Sequence, residues 1–253
     1  MVYKISSILA LAASLALTAN AQKQIEGLTY AGAKVPPNVS ANIPKNALAS
    51  VPITDPKSPQ FACRSNGLNF PNIKSYQSTA GEMFIVQWDK AQMPAVNTAE
   101  GYKQLNGPCN FWLASTDNVK GDLQWFRIKE VGYDPTNGWC TDTIRNVGQM
   151  VVPMPKDIPN GNYLFRTEVI DLSYAGQTNA ADPTMGAQFY SDCIKYTLTG
   201  AQDPKPVTDG LVTLANAYNL SDKSLLLNLT ADGKPPGGTY TVPGPVVHPQ
   251  PTN

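Results

Sequence analysis

The sequence predicts an all-β fold, an antiparallel β-sandwich with long loops. Charged residues make up only 15% of the chain, while 22 Pro and 19 Gly supply frequent turns. Between those turns lie short stretches rich in aromatic and β-branched residues, which are typical of strands. No stretch of more than about ten residues has the periodicity of a helix. The 253 residues are enough to bury one sizeable core.

The first 21 residues have the pattern of a secretory signal peptide. Lys4 precedes the apolar run from Ile5 to Leu17, and Ala19-Asn20-Ala21 is a small-residue cleavage site. The apolar run is too short to span a membrane. We therefore expect a secreted, extracellular protein that begins at Gln22, with one domain over residues 22–245 and a tail over residues 246–253. In an oxidising compartment its four cysteines are expected to form two disulfides, for which three pairings are possible.

The charge balance gives no reason to expect nucleic acid or a membrane surface as a partner. The chain carries 19 basic and 19 acidic residues, and removing Lys4 with the signal peptide leaves one basic residue fewer. A chain without a large field of either sign lacks the usual electrostatic attraction to polyanions. We expect a monomer that binds neither.

Six strands follow from the hydrophobic pattern of the mature chain. Residues 22–59, rich in Pro, Asn and Gly, are predicted to form surface loops. Turn sequences rich in Asp, Asn and Gly separate several of the later strands, at 117–121, 134–138 and 157–161. The predicted strands are Glu82–Trp88, Cys109–Ala114, Gln124–Glu130, Met150–Met154, Tyr163–Asp171 and Ala187–Leu198.

The last two of these strands carry the polar side chains of greatest interest. Side chains two apart on a strand share a face, so Arg166 points the same way as Glu168. Gln188 likewise shares a face with Tyr190, and Phe189 points into the opposite layer. Such a group is either a functional site or a buried hydrogen-bond network.

Three Asn-X-Ser/Thr sequences are acceptor sites for N-glycosylation in a secreted protein, and such sites favour exposed loops. Their asparagines are Asn38, Asn219 and Asn228.

Several phrases of the sequence occur together and in a recognisable order. They are Asn106-Gly107-Pro108, Trp125-Phe126-Arg127-Ile128, residues 161–168, Gly186-Ala187-Gln188-Phe189-Tyr190 with Cys193, and residues 240–245. In these phrases the chain resembles the fungal lytic polysaccharide monooxygenases of auxiliary-activity family nine, formerly glycoside hydrolase family sixty-one. The resemblance implies an immunoglobulin-like or fibronectin-III-like β-sandwich whose flat face lies on cellulose or a related wall glucan.

The resemblance also implies a copper site, from which this sequence departs. The family holds one copper with an N-terminal His and a second His just before the Gly-Pro phrase, with a phenol in the axial position. Here those two positions are Gln22 and Asn106, and a further family His corresponds to Ser173. The axial phenol, Tyr190, and the second-sphere amide, Gln188, are kept. We therefore expect no copper and no other cofactor.

The chain has a single histidine, His248, which lies in the predicted tail. We interpret it as a solvated tail residue and not as a metal ligand.

The resemblance also predicts a disulfide pairing and a residue that contacts sugar. It implies a Cys63–Cys193 bond, and the two remaining cysteines, Cys109 and Cys140, then form the second. It further suggests that Tyr218 is a loop tyrosine that stacks on sugar rings.

Two classes of function follow from these observations. The first is a non-oxidative wall protein that interacts with β-glucan or cellulose. The alternative is an enzyme, either a copper-dependent lytic polysaccharide monooxygenase with altered ligands or a hydrolase. A hydrolase needs paired carboxylates across a cleft, whereas Glu168 and Asp171 fall on opposite faces of one strand.

Overall fold

The computed structural model describes residues 25–30, 33–34, 53–63, 75–88, 105–177 and 185–248. These residues form eleven strands, one α-helix and three 3-10 helices. The strands are β1 (Ile25–Tyr30), β2 (Ala33–Lys34), β3 (Tyr76–Thr79), β4 (Met83–Trp88), β5 (Cys109–Ser115), β6 (Trp125–Val131), β7 (Tyr133–Asp134), β8 (Gly138–Trp139), β9 (Gln149–Pro153), β10 (Gly161–Asp171) and β11 (Gln188–Thr199). The helix α1 is Cys140–Val147, and the 3-10 helices are Leu214–Asn216, Lys223–Leu225 and Pro236–Gly238.

Two main sheets carry the fold. One has four strands in the order β2-β1-β4-β9, and the other has five in the order β3-β11-β10-β5-β6, while β7 and β8 form a small hairpin. The pairs are antiparallel except that β11 pairs with β3 in parallel. The antiparallel arrangement predicted from the sequence therefore holds for every pair but this one.

The six predicted strands are confirmed to within two residues at each end. The interpretation of residues 22–59 as loops is wrong for β1 and β2, and residues 35–52 lie outside the described residues. Strand β1 contains Gly27, and its pairing with β4 shifts register there. The short helix α1 was not predicted. Asp142 accepts the backbone N–H of Trp139 at its start, and Gly148 ends it in the left-handed conformation with φ 77°.

The first hydrophobic core lies between the two sheets. Phe84 of the four-stranded sheet has its ring centroid 5.7 Å from that of Phe165 and 5.1 Å from that of Tyr196, both in the five-stranded sheet. All three rings are fully buried. This contact of inner faces makes the pair of sheets a β-sandwich.

A second core lies on the other face of the five-stranded sheet. Trp112, Ile170 and Phe189 point into it, and the segment 211–248, which follows β11, covers them with Leu214 and Tyr218. The five-stranded sheet is therefore buried on both faces. This explains why the nine successive residues 163–171 of β10 are all buried, where a half-exposed strand would alternate.

The last described residue, His248, is held against strand β6. The backbone N–H of His248 donates to the carbonyl of Arg127 across 2.6 Å, and the His248 ring lies 5.4 Å from the ring of Phe126. Only 13% of the His248 side chain is exposed. The interpretation of His248 as a solvated tail residue is therefore wrong, because residues up to 248 belong to the packed domain.

Both predicted disulfides are confirmed. The Cys63–Cys193 bond ties residues 53–63 to β11, and the Cys109–Cys140 bond ties β5 to α1. Across the residues that the structure describes, no helix has the length and apolar character needed to cross a membrane.

Candidate functional site

The residues that the family resemblance singles out meet at one end of the five-stranded sheet. Strand β10 ends at Asp171, directly opposite Gln188 at the start of β11. Because β5 also runs antiparallel to β10, Asn106 arrives at the same end just before β5 begins. The structure thus brings Asn106, Ser173, Gln188 and Tyr190 to one place, while Gln22 lies outside the described residues.

Gln188 and Tyr190 form a buried pair. The phenol of Tyr190 donates a hydrogen bond to the side-chain oxygen of Gln188 across 2.7 Å. Tyr190 lies in the core between the sheets, whereas Phe189 lies in the second core. The predicted arrangement, with Gln188 and Tyr190 on one face and Phe189 on the other, is confirmed.

Asp171 connects the two loops that carry Asn106 and Ser173. One of its carboxylate oxygens accepts the backbone N–H groups of Asn106 and Ser173, each across 3.0 Å. The same oxygen accepts the hydroxyl of Ser173 across 2.7 Å. Asp171 is only 3% exposed, so these bonds fix the positions of both loops. Sequence reasoning missed this role, although an acidic residue directly after the apolar pair Val169-Ile170 at the end of a strand was a usable signal.

The side chains at these positions do not fit the copper brace that the resemblance implies. Copper in proteins favours imidazole, amine or thiolate donors. Positions 106, 173 and 188 offer two amides and a hydroxyl, and Tyr190 offers a phenol that is hydrogen-bonded to Gln188. Nowhere among the described residues do three His, Cys, Asp or Glu side chains cluster as metal ligands.

On the opposite face of the sheet, Arg166 and Glu168 form a buried ion pair. Their side chains are 2.6 Å apart and fully buried, as the shared face predicted from the sequence requires. The Nε of Arg166 also donates to the carbonyl of Ala62 across 2.7 Å, and the amide of Asn110 donates to Glu168 across 3.3 Å. This face is a buried structural network that joins β10 to residues 61–62. Because Glu168 is enclosed, it is not available as a carboxylate for hydrolysis.

Tyr218 completes this network, and its assignment as a sugar-stacking residue is wrong. It is 7% exposed, and its hydroxyl donates to Glu168 and accepts from Asn110 across 2.9 Å. The Tyr218 ring is surrounded by Phe61, Trp112 and Phe189, with centroids 6.1, 6.3 and 5.1 Å away. Burial, together with the neighbouring Glu168, raises the pKa of Tyr218 well above its ordinary value. A ring in this position has no free face for a sugar.

A polar cleft lies beside the positions of Asn106 and Ser173. Its volume is about 440 Å³. Its walls are the loop after β10 and the loop that follows the second 3-10 helix, and they are lined by Asn106, Ser173, Gly176, Gln177, Leu227, Asn228, Leu229, Thr230, Ala231, Asp232 and Gly233. Of these residues the sequence had drawn attention only to Asn106, Ser173 and Asn228.

Two of the three glycosylation acceptors lie in the described residues. Asn219 and Asn228 are both exposed, as an acceptor side chain must be. Asn38 lies outside the described residues. Use of the three sites stays a prediction.

Comparison with known proteins identifies the family. The profile of Auxiliary Activity family 9, formerly GH61, matches residues 17–240. The chain is 31% identical over 258 residues to the AA9 family lytic polysaccharide monooxygenase B of Emericella nidulans. It is 30% identical over 202 residues to the AA9 family lytic polysaccharide monooxygenase AA9-X282 of Trametes coccinea, which covers 77% of this chain and 68% of that protein.

Solved structures agree with the sequence match. CvAA9A superposes with a TM-score of 0.71 at 25% identity, over 90% of this chain and 98% of that one. Cel61B from Hypocrea jecorina has the same fold, with a TM-score of 0.67 at 21% identity over 90% of this chain.

The chain spans only part of the length of its sequence relatives. The match with the Emericella nidulans relative covers 96% of this chain and 64% of that protein's length. The match with the AA9 family lytic polysaccharide monooxygenase A of Aspergillus tamarii covers 48% of that protein's length. The chain belongs to Auxiliary Activity family 9.

Proposed function

We propose that this protein is a secreted member of the family that interacts with wall polysaccharide, a β-glucan such as cellulose, without oxidising it through copper. On this proposal the domain is an immunoglobulin-like sandwich that acts as a monomer and holds no resident cofactor. The observation that carries it is the chemistry of Asn106 and Ser173. Both stand where the family resemblance implies histidines, and the carboxylate of Asp171 binds them.

The physical argument rests on donor strength. Tight binding of Cu²⁺ needs deprotonated nitrogen or thiolate donors, and side-chain amides and hydroxyls are poor substitutes. The hydroxyl of Ser173 is already committed to Asp171. The four cysteines are consumed in disulfides, so they supply no thiolate. His248 packs on Phe126 and lies 3.5 Å from Asp157, so it belongs to another part of the domain surface.

The polysaccharide partner follows from the relatives. The Emericella nidulans and Trametes coccinea relatives are both named lytic polysaccharide monooxygenases. Because Tyr218 is buried, it adds no stacking contact, and binding through polar groups and backbone at the surface is weak and reversible.

The test is incubation of the protein with cellulose, copper and a reductant, followed by chromatography of the soluble products and measurement of retained protein. We expect retention on the polymer without oxidised oligosaccharides. Oxidised products at a rate comparable with an active family member run in parallel would contradict the proposal. Absence of retention on cellulose, chitin and β-1,3-glucan alike would remove its polysaccharide part.

A second candidate function is copper-dependent oxidative cleavage through altered ligands. It is favoured by Tyr190 and Gln188, which the family resemblance assigns to the surroundings of the copper and which are joined by a 2.7 Å hydrogen bond. The same product analysis separates the two functions.

A further inference from the structure

We propose that the polar cleft beside Asn106 and Ser173 is a binding site for a neutral sugar, one or two pyranose units long. This inference rests on the proposed function, since it assigns a place to the polysaccharide contact. It differs from a flat aromatic platform, because the ligand would be held edge-on by amides and hydroxyls inside a cleft.

The walls of the cleft are held in place before any ligand arrives. The hydroxyl of Thr230 donates to Asp232 across 2.6 Å, and the backbone N–H of Lys234 donates back to Thr230 across 3.0 Å. The indole N–H of Trp139 donates to the carbonyl of Gly233 across 2.7 Å. On the other wall, Asp171 holds Ser173. A preformed cleft of this kind spares the ligand the entropic cost of ordering loops.

The cleft is close to electrically neutral. Among the described residues that line it, Asp232 alone has an ionisable side chain, which lies 2.8 Å from the ammonium group of Lys234. This pairing disfavours a phosphate or a free carboxylate as the ligand, and a single paired carboxylate is too few ligands for a cation. A neutral ligand rich in hydroxyl groups fits this balance.

The hydrogen-bonding groups of the cleft suit sugar hydroxyls. Gln177 and Asn228 are exposed and line it from opposite walls, and neither side-chain amide is hydrogen-bonded to another described residue. An amide both donates and accepts, so each of these two side chains can pair with a hydroxyl in either sense. Leu227 and Leu229 also line the cleft and add apolar surface, against which the C–H groups of a ring can pack.

The size of the cleft limits the ligand. Its volume of about 440 Å³ is in the lower part of the range of about 300–1,000 Å³ that is usual for small organic ligands. None of the described residues that line it is aromatic. Hydrogen bonds that replace bonds to water, without stacking, give an affinity of about 1 mM.

The sugar can come from two sources. One is the end of a wall glucan or a soluble fragment of it. The other is the glycan predicted at Asn228, because that acceptor side chain itself lines the cleft and packs against Gly176. In both cases the chemistry is a neutral pyranose within reach of Gln177.

The test uses NMR titration of the mature protein, made once in bacteria without glycans and once by secretion from yeast. The probes are cellobiose, laminaribiose and the N-acetylglucosamine disaccharide, added without copper or reductant. We expect the bacterial protein to bind at least one of them at about 1 mM. Gln177→Ala should weaken binding roughly fivefold, the effect of one hydrogen bond. The matched control Asn219→Ala, at an exposed Asn outside the cleft, should leave binding unchanged.

The yeast protein distinguishes the sources. Glycosylation at Asn228 with loss of disaccharide binding assigns the cleft to the protein's own glycan, and unchanged binding assigns it to external sugar. Equal affinities of wild type and Gln177→Ala, or no binding of any probe by the bacterial protein, would overturn the inference. Because copper is absent throughout, oxidative activity found elsewhere leaves this result intact.

Discussion

The hydroxyl of Tyr218 donates a hydrogen bond to the carboxylate of Glu168, in the layer between the five-stranded sheet and the C-terminal segment. The sequence analysis interpreted Tyr218 as a loop residue that contacts sugar, but in the structure its side chain is buried in the second core. It joins the C-terminal segment to the buried ion pair of Arg166 and Glu168. The aromatic ring that the sequence suggested for sugar binding is therefore used for stability.

Replacing Tyr218 by Phe should destabilise the protein without affecting its retention on polysaccharide. The change removes a donor from the buried Glu168 and an acceptor from Asn110, which costs about 1–3 kcal/mol. Urea denaturation monitored by tryptophan fluorescence measures the loss. The control is Tyr240→Phe, which removes one neutral hydrogen bond, to the carbonyl of Ser224 across 3.2 Å. Weaker retention of Tyr218→Phe at unchanged stability would contradict this, because it would show that the Tyr218 hydroxyl contacts the polymer.

The two disulfides should differ in what they contribute. Cys63 and Cys193 are 130 residues apart, whereas Cys109 and Cys140 are 31 apart. On the chain-entropy model their removal costs about 5 and about 4 kcal/mol respectively. Paired Cys→Ala variants of each bond, compared by urea denaturation, test this order. A larger loss for the shorter loop would mean that packing of α1 against β5 outweighs loop entropy.

Six of the eleven strands in the described residues were predictable, because each is rich in aromatic or β-branched residues and is bounded by turns. The alternation around Gln188 and Tyr190 followed from the period of two along a strand. The sequence analysis did not predict that the C-terminal segment 211–248 covers the second face of the five-stranded sheet. Apolar residues on both faces of β10, such as Phe165 and Ile170, are the signal that this sheet is covered twice.

The candidate site was predictable only in part. The family resemblance located Asn106, Ser173, Gln188 and Tyr190, and the structure brings them together. The polar cleft is formed by residues 173–177 and 227–233, two loops that are far apart in the sequence. No local sequence pattern predicts that these two loops lie next to each other. Asp171 was overlooked because its role comes from the geometry of Asn106 and Ser173 around it.

Stability should fall at high pH through the buried tyrosines, and Tyr163 provides a defined case. Burial, with the nearby Asp117, raises the pKa of Tyr163 to about 12. In the unfolded chain a tyrosine ionises near pH 10. Between these values the unfolded state has lost the proton and the folded state retains it, so stability decreases as the pH rises, by about 1.4 kcal/mol per unit.

The variant Tyr163→Phe should therefore lose stability less steeply than wild type between pH 10 and pH 12. Its free energy of unfolding at neutral pH should be lower than that of wild type, because the variant loses the hydrogen bond that the hydroxyl of Tyr163 donates to the carbonyl of Pro159 across 2.6 Å. Denaturation at a series of pH values gives both curves. Parallel curves across this interval would contradict the assigned pKa.

Restoring two histidines should restore copper binding. In the variant Gln22→His with Asn106→His, an N-terminal amine and two imidazoles become available once the signal peptide is cleaved after Ala21. The backbone at position 106 is already fixed by Asp171, and Tyr190 is in place. Activity should return only partly, because Ser173 remains. The single variant Asn106→His is the control and should bind copper far more weakly. Absence of binding by the double variant would mean that the scaffold no longer supports the site.

Copper titration into the wild-type mature protein, with its N-terminal residue determined on the same sample, tests the central claim most directly. The signal-peptide pattern predicts that the mature protein begins at Gln22. The donors at positions 106, 173 and 188 are amides and a hydroxyl, so we predict that the protein does not bind copper at sub-micromolar affinity. Calorimetry with one equivalent of copper bound at sub-micromolar affinity would contradict the account.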